Sequence, residues 1–340
     1  MKKKIIKLLN TTNKTKKVSS NLSRNLSRKT YKSLLHTNNL LLGCHVSISP
    51  SILDGIQWGN SIGANAIQIF LGSNRSASMK TKSKPSLDDI KSIRKYIKVS
   101  RITLIVHSIY LLNFCKAPAS SGKVKYMHEN IQYDLHLGSQ IGAKSVILHM
   151  GFATDLERPL AIANLVDNLN KILDDKPNDI QLVIETAAGQ GSQVGYTLEE
   201  LAEIWSKVKH HGKHNIGICI DTAHIFVSGY DISSIDGIKS YLNKFNSLIG
   251  CENISAFHLN DSRWAMGSRK DEHRGIGSGM IFHSQQGKAA LKYLVRFCIK
   301  QKIPIILETH SAGSPTSEGS FRGSRGYEWE IAMIKTTLEK

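Results

Sequence analysis

Eight short apolar runs, each followed by a stretch with helical spacing, constrain this 340-residue chain more than any other feature. They are LLGCHVSI (41–48), AIQIFLG (66–72), RITLIVHS (101–108), AKSVILHMG (143–151), QLVIETA (181–187), IGICIDTAH (216–224), ISAFHLNDS (254–262) and IPIILETH (303–310). Their apolar residues are contiguous rather than alternating, as in strands covered on both faces. Between them lie stretches such as SLDDIKSIRKYIK (86–98), where a serine and early acids mark a helix start, and YTLEELAEIWSKVKH (196–210). Eight strand–helix units in about 300 residues predict an α/β fold, a (β/α)₈ TIM barrel. The alternative is an open doubly wound sheet. Against it, GCHVS is not the G-x-G-x-x-G turn of a dinucleotide-binding first strand.

The strand ends carry the chemistry. Strand three ends in His107, strand four in His149, strand five in Glu185, and strand six in Asp221 with His224 just beyond. Strand seven ends in His258 and strand eight in Glu308. In a barrel these positions meet at the C-terminal face. Clustered imidazoles and carboxylates need a counter-charge, and a divalent metal supplies one. This N/O set suits zinc, with manganese or iron as alternatives. After strand seven, Asp271 and His273 form a D-x-H pair ahead of the glycine-rich HRGIGSG. In an extended segment, residues two apart point the same way. With His224 they make a further three-ligand set, and nine candidates divide over two or three ions.

Charge points to a polyanionic partner. Lys plus Arg number 45 against 27 Asp plus Glu, a net +18, and residues 1–40 hold eleven basic residues and no acid. That start fits a disordered basic N-terminal arm over residues 1–39, or an organelle transit peptide, ahead of a single barrel domain over 40–340. The five cysteines are odd in number, scattered and free of C-x-x-C spacing, as expected of an intracellular, reducing compartment. No apolar run approaches the ~18–20 residues of a membrane span. A monomer is expected.

The stretches GCHVS, VHSIYLLN, IETAAGQGSQVG, ICIDTAHIFVSGYD, FHLNDSR with GSRKDEHRGIGSG, and ILET together resemble the endonuclease IV family. These are zinc-dependent apurinic/apyrimidinic endonucleases of base-excision DNA repair. The resemblance covers roughly residue 42 to the C-terminus. It implies that His107, His149 and Glu185 bind one zinc, and that Glu185 bridges to a second held by Asp221, His258 and Glu308. It also implies a third zinc on His224, Asp271 and His273. Hydrolysis would fall 5′ to an abasic site in double-stranded DNA and leave a 3′-hydroxyl, with Glu185 and Glu308 as catalytic carboxylates. Arg75, Tyr110 and Leu111 would wedge the duplex, with Lys80, Lys82 and Lys84 near phosphates. Four positions depart from the family pattern: Met150 and Ile109 replace prolines, Ala223 a cysteine, and Ala77 a tryptophan. The competing readings are a metal-dependent sugar isomerase or epimerase on a similar barrel, and a non-enzymatic nucleic-acid-binding protein.

Overall fold

The computed structural model describes residues 39–209, 215–309 and 326–339. The expected arm therefore lies, apart from Asn39, outside the described residues. So does His310, the last residue of the run predicted as strand eight.

All eight runs form strands of one closed parallel barrel: β1 (Leu42–Val46), β2 (Ala66–Phe70), β3 (Thr103–His107), β4 (Ser145–Leu148), β5 (Gln181–Glu185), β6 (Ile216–Asp221), β7 (Ile254–His258) and β8 (Ile305–Leu307). Neighbours in sequence are neighbours in the barrel, and β1 closes onto β8 through pairs such as Leu42 with Ile305. Helices α1 (Ile52–Ser61), α2 (Leu87–Ser100), α3 (Lys125–Ile141), α4 (Arg158–Asp175) and α5 (Leu198–Lys207) follow the first five strands. A short α6 (Thr222–Val227) and then α7 (Ile235–Leu248) follow β6, α8 (Gln285–Gln301) follows β7, and α9 (Tyr327–Glu339) follows β8.

The helix starts agree with the sequence. Ser86 caps α2 in a full capping box with Asp89, and Thr197 caps α5. Apolar residues on the outer side of the strands pack under the helices. Ala66, Ile105, Ile147, Val183, Cys219, Ala256 and Ile306 form a separate buried cluster that fills the barrel. No helix of the described residues is long and apolar enough to cross a membrane.

Lys82 departs from its expected role. It is turned inward, and its Nζ lies 2.6 Å from Asp134 Oδ1 on α3, both side chains 1 % exposed. It is therefore not placed to contact phosphate, whereas Lys80 and Lys84 are exposed. Burial pushes the Asp134 carboxyl up to about 6 against the pull of the Lys82 ammonium. A raised carboxylate favours the folded state at low pH, and that contribution is lost as pH rises from its ordinary value, 3.8, through about 6. Lys82→Met strands this charge and is expected to cost about 3–5 kcal/mol at pH 8. The loss should be smaller at pH 5, where Asp134 takes up a proton. Denaturant melts at the two pH values check this, and equal losses would contradict it.

Candidate metal centre

Side chains alternate faces along a strand, so the residue two positions beyond an interior core residue enters the same space. On six strands that residue is a candidate ligand. His107 follows Ile105, His149 follows Ile147, Glu185 follows Val183, Asp221 follows Cys219, His258 follows Ala256, and Glu308 follows Ile306. The apolar plug of the barrel is thus roofed by one polar layer at its C-terminal end. His149 and Glu308 lie one residue past their strands, where the chain still keeps the strand's direction.

His224 arrives differently. From the sequence, strand six ends at Asp221 with His224 just beyond, and β6 does stop there; α6 begins at Thr222 and carries His224. Asp221 is the helix cap: its Oδ1 accepts from His224 N at 2.9 Å. Its Oδ2 is left for the cluster, taking a hydrogen bond from Asn260 Nδ2 at 2.6 Å. One carboxylate therefore serves both as a cap and as a candidate ligand. The D-x-H segment returns beside it as a short antiparallel pair, Asp261–Ser262 with His273–Arg274.

All nine candidate ligands meet at the barrel mouth. Glu185 stands at the centre. Its Oε2 is 3.1 Å from His107 Nε2 and 2.9 Å from His149 Nε2. Its Oε1 is 2.9 Å from His258 Nδ1. His258 Nδ1 also faces Glu308 Oε2 at 3.1 Å. His224 Nε2 lies 3.2 Å from Asp271 Oδ2, and His273 Nε2 lies 3.3 Å from Asp271 Oδ1.

Donor atoms within 4.8 Å of one another fall into overlapping groups. Two are His107, His149 and Glu185, and then Glu185, Asp221, His258 and Glu308. A third is Asp221, His224 and His273, with Asp271 against both imidazoles. A fourth, His107, His258 and Glu308, has no counterpart among the sets expected from the sequence.

These residues fit divalent metal. Four carboxylates face five imidazoles at the barrel mouth, with Glu185 and Asp221 buried and Glu308 and Asp271 partly exposed, which leaves negative charge in need of compensation. His224 Nε2 and His273 Nε2 are buried without a hydrogen bond, though carboxylates stand close by. His224 Nδ1 already pairs with Thr186 O at 2.8 Å, which turns the Nε2 lone pair into the cluster. In the absence of metal, protons fill the need. Burial alone would lower His224, His258 and His273, but Asp221 and Asp271 reverse it at His224 and His273, and Cys219, Glu308 and Glu185 reverse it at His258. His224 and His258 are held well above the ordinary imidazole range and His273 at about 9. Glu185 responds in kind: burial raises its carboxyl, but His258 and His149 outweigh that and hold it well below the ordinary range.

Sequence reasoning missed the residues that orient this set. Gln68 is fully buried; its Oε1 accepts from His258 Nε2 at 2.9 Å and its Nε2 donates to Glu308 Oε1 at 2.7 Å. That bond leaves His258 Nδ1 as the nitrogen free to hold a metal. His45 Nδ1 sits 3.0 Å from the same amide. Asn260 joins Asp221 to Glu308, accepting from Glu308 N at 2.9 Å. Asp261 gathers the glycine-rich loop by accepting from the backbone of Gly277, Gly279 and Ile281. The period-two signal would have found Gln68, which follows Ala66 as His107 follows Ile105.

A cleft of about 270 Å³ opens over the cluster, lined by Tyr110, His149, Phe152, Glu185, His224 and Glu308 among others. Tyr110 is 45 % and Leu111 51 % exposed, and the Tyr110 ring lies 5.3 Å from His107 and 5.2 Å from His149. Arg75 is exposed on the β2–α2 loop, outside the ligand cluster. Met150 is buried beside the site, where a Cβ on Gly195 would come within 2.1 Å of its methyl; Gly195 has φ +81°.

Residues 56–286 match the family described as Xylose isomerase-like TIM barrel. A Bacillus licheniformis protein named "Probable endonuclease 4" is 33 % identical over 301 residues, spanning 87 % of this chain and 95 % of that one. Endonuclease IV from Thermus thermophilus superposes with a TM-score of 0.70 at 23 % identity, over 88 % of this chain and 98 % of that chain. A D-tagatose 3-epimerase-like protein superposes with a TM-score of 0.62 at 19 % identity, over 87 % and 97 %. At those identities the two structures establish the barrel and no more.

Proposed function

This chain belongs to the endonuclease 4 family of xylose isomerase-like TIM barrels, and from that premise we propose that it hydrolyses the phosphodiester 5′ to an abasic site in double-stranded DNA, leaving a 3′-hydroxyl. The observation that carries the reading is the Asp221, His224 and His273 group, with Asp271, beside the two groups that share Glu185. A two-metal sugar isomerase or epimerase on the same barrel has no use for this third set. In our reading the three groups hold three zinc ions, with manganese as a substitute. Bound there, the ions supply counter-charge to the phosphodiester and a hydroxide at neutral pH. The protein acts as a monomer in a reducing intracellular compartment, in keeping with five free cysteines.

The side chains divide the work. Glu185 is the shared ligand. Glu308 takes the attacking water's proton: burial raises its carboxyl, but His258, His107 and His273 together outweigh this and keep it below its ordinary range, so it is an acceptor at neutral pH. Asn260 and Gln68 hold that carboxylate in place. Cleavage of an end-labelled duplex with one abasic analogue, with the cut and its termini mapped, tests the reading. No cut from fully metal-loaded protein would favour a binding protein that retains the fold. Turnover of a ketose instead would favour the epimerase.

Exposed Arg75, Tyr110 and Leu111 are the proposed wedge. An abasic nucleotide lacks the base whose stacking must be broken, so it is the cheapest to extrude. A stacked aromatic is worth ~1–3 kcal/mol, so Tyr110→Ala should lower efficiency on abasic duplex roughly ten- to hundredfold, with Arg75→Ala acting in the same direction. On a substrate already frayed at the lesion the defect should shrink, with metal content unchanged. An equal loss on both substrates would assign these residues to packing. Removing the basic residues 1–39 should spare cleavage of abasic duplex and make binding to undamaged DNA less steeply salt-dependent, because fewer counterions are released. A salt slope equal to that of the full chain would contradict this.

A further inference from the structure

The loop that presents Arg75 is fastened to α3 by contacts that neither the ligand cluster nor the barrel core requires. At its base the loop closes on itself: Ser83 N donates to Leu71 O at 2.9 Å, and Gly72 bridges antiparallel to Lys82. A Cβ on Gly72 would stand 2.7 Å from Thr81 O, so the two limbs approach closely only because this residue is glycine. One face of α3 then reaches in at three points. Asn130 Nδ2 donates to Ala77 O at 2.9 Å, the Tyr133 hydroxyl donates to Ser83 O, and Asp134 receives Lys82 Nζ at 2.6 Å. Positions 130, 133 and 134 share that face because residues three and four apart are neighbours on a helix.

A buried ion pair is a poor source of net stability, since well-packed apolar residues of similar volume do as well or better. What it supplies is direction. Burial of both groups holds the Lys82 ammonium against Asp134, and the Asn130 and Tyr133 hydrogen bonds tie down two further points of the same loop. Arg75 sits between the closed stem at Gly72 and the anchored carbonyl of Ala77. Its own backbone N–H is held only by Ser73 Oγ, at 3.3 Å. The direction of the guanidinium is therefore inherited from both anchors.

We propose that Lys82 and Asp134 are positioning residues for Arg75, which set where its guanidinium meets the duplex and act on substrate capture rather than on chemistry. This rests on the reading of Arg75 as a DNA-wedging residue. The test is Lys82→Met/Asp134→Leu in the full-length, metal-loaded protein. KM for an abasic-analogue duplex should rise roughly tenfold, as expected when a binding group is misplaced, with kcat changed less than about twofold. Metal content should equal wild type. In an Arg75→Ala background the same double replacement should add less than about twofold, because the pair acts through that side chain. Asn130→Ala and Tyr133→Phe loosen the same loop without touching a charge. They should raise KM in the same way, and they keep the test available if the double variant does not fold. An unchanged KM, or a rise that multiplies in full with Arg75→Ala, would overturn the proposal. A wild-type protein that leaves abasic duplex uncut would remove its premise, and this shows before any variant is compared.

Discussion

Glu185→Gln is expected to lower cleavage of an abasic duplex by at least ~10³-fold while leaving affinity for that duplex within roughly tenfold. The carboxylate touches His107 and His149 through one oxygen and His258 through the other, so it belongs to two of the ligand groups at once. The amide keeps the shape and loses the charge. Its NH₂ also places hydrogens where one pair of imidazoles presents ligating nitrogens. DNA affinity is spared because the proposed duplex contacts, Arg75, Tyr110 and Leu111, lie at the rim and on the β2–α2 loop rather than at Glu185. Single-turnover cleavage, duplex retention and elemental analysis should be measured on one preparation. Activity within tenfold of wild type would show that Glu185 is not the shared ligand.

Metal loading at pH 7 should release about three protons per chain, one each from His224, His258 and His273. Without metal their neighbouring acids hold all three imidazoles protonated, His273 to about 9. A raised histidine contributes stability that is fully present below its ordinary value, 6.5, and lost as pH rises through its folded value. Metal competes with those same protons. Its affinity should therefore climb with pH through about 9, where His273 titrates, and keep climbing while His224 and His258 still hold protons. Calorimetry of zinc binding in buffers of different ionisation enthalpy counts the protons directly. Fewer than one proton per chain would mean that the imidazoles are neutral before metal arrives. In the same preparations, prolonged chelation should abolish cleavage and lower the melting temperature, since the vacated cluster keeps two buried carboxylates, Glu185 and Asp221, beside Glu308 and Asp271.

The barrel and its candidate ligands were legible in the sequence for one reason: both obey short periods. A strand buried on both faces is a contiguous apolar run, and eight of them alternate with amphipathic helices. A charged or imidazole side chain closing such a run stands out against its apolar neighbours, so His107, Glu185, Asp221 and His258 announce themselves without a partner in view. His224, expected just beyond the end of strand six, lies there on a helix that the run does not announce. A strand that turns into a helix at Asp221 has no apolar break to mark the change, and the only local sign is the aspartate that caps it.

Tertiary structure alone decided the rest. Gln68 and Asn260 are neutral amides; period puts Gln68 on the interior face, but nothing in the runs that contain them shows that they clamp His258 or Glu308. Lys82 sits among exposed lysines on a polar loop, and its sequence neighbourhood resembles theirs. It is buried because Asp134, 52 positions away, comes up under it on another helix. Period and composition report which face of an element a residue occupies. They do not report what a second element brings to that face, and for a buried charge or amide that partner determines the role.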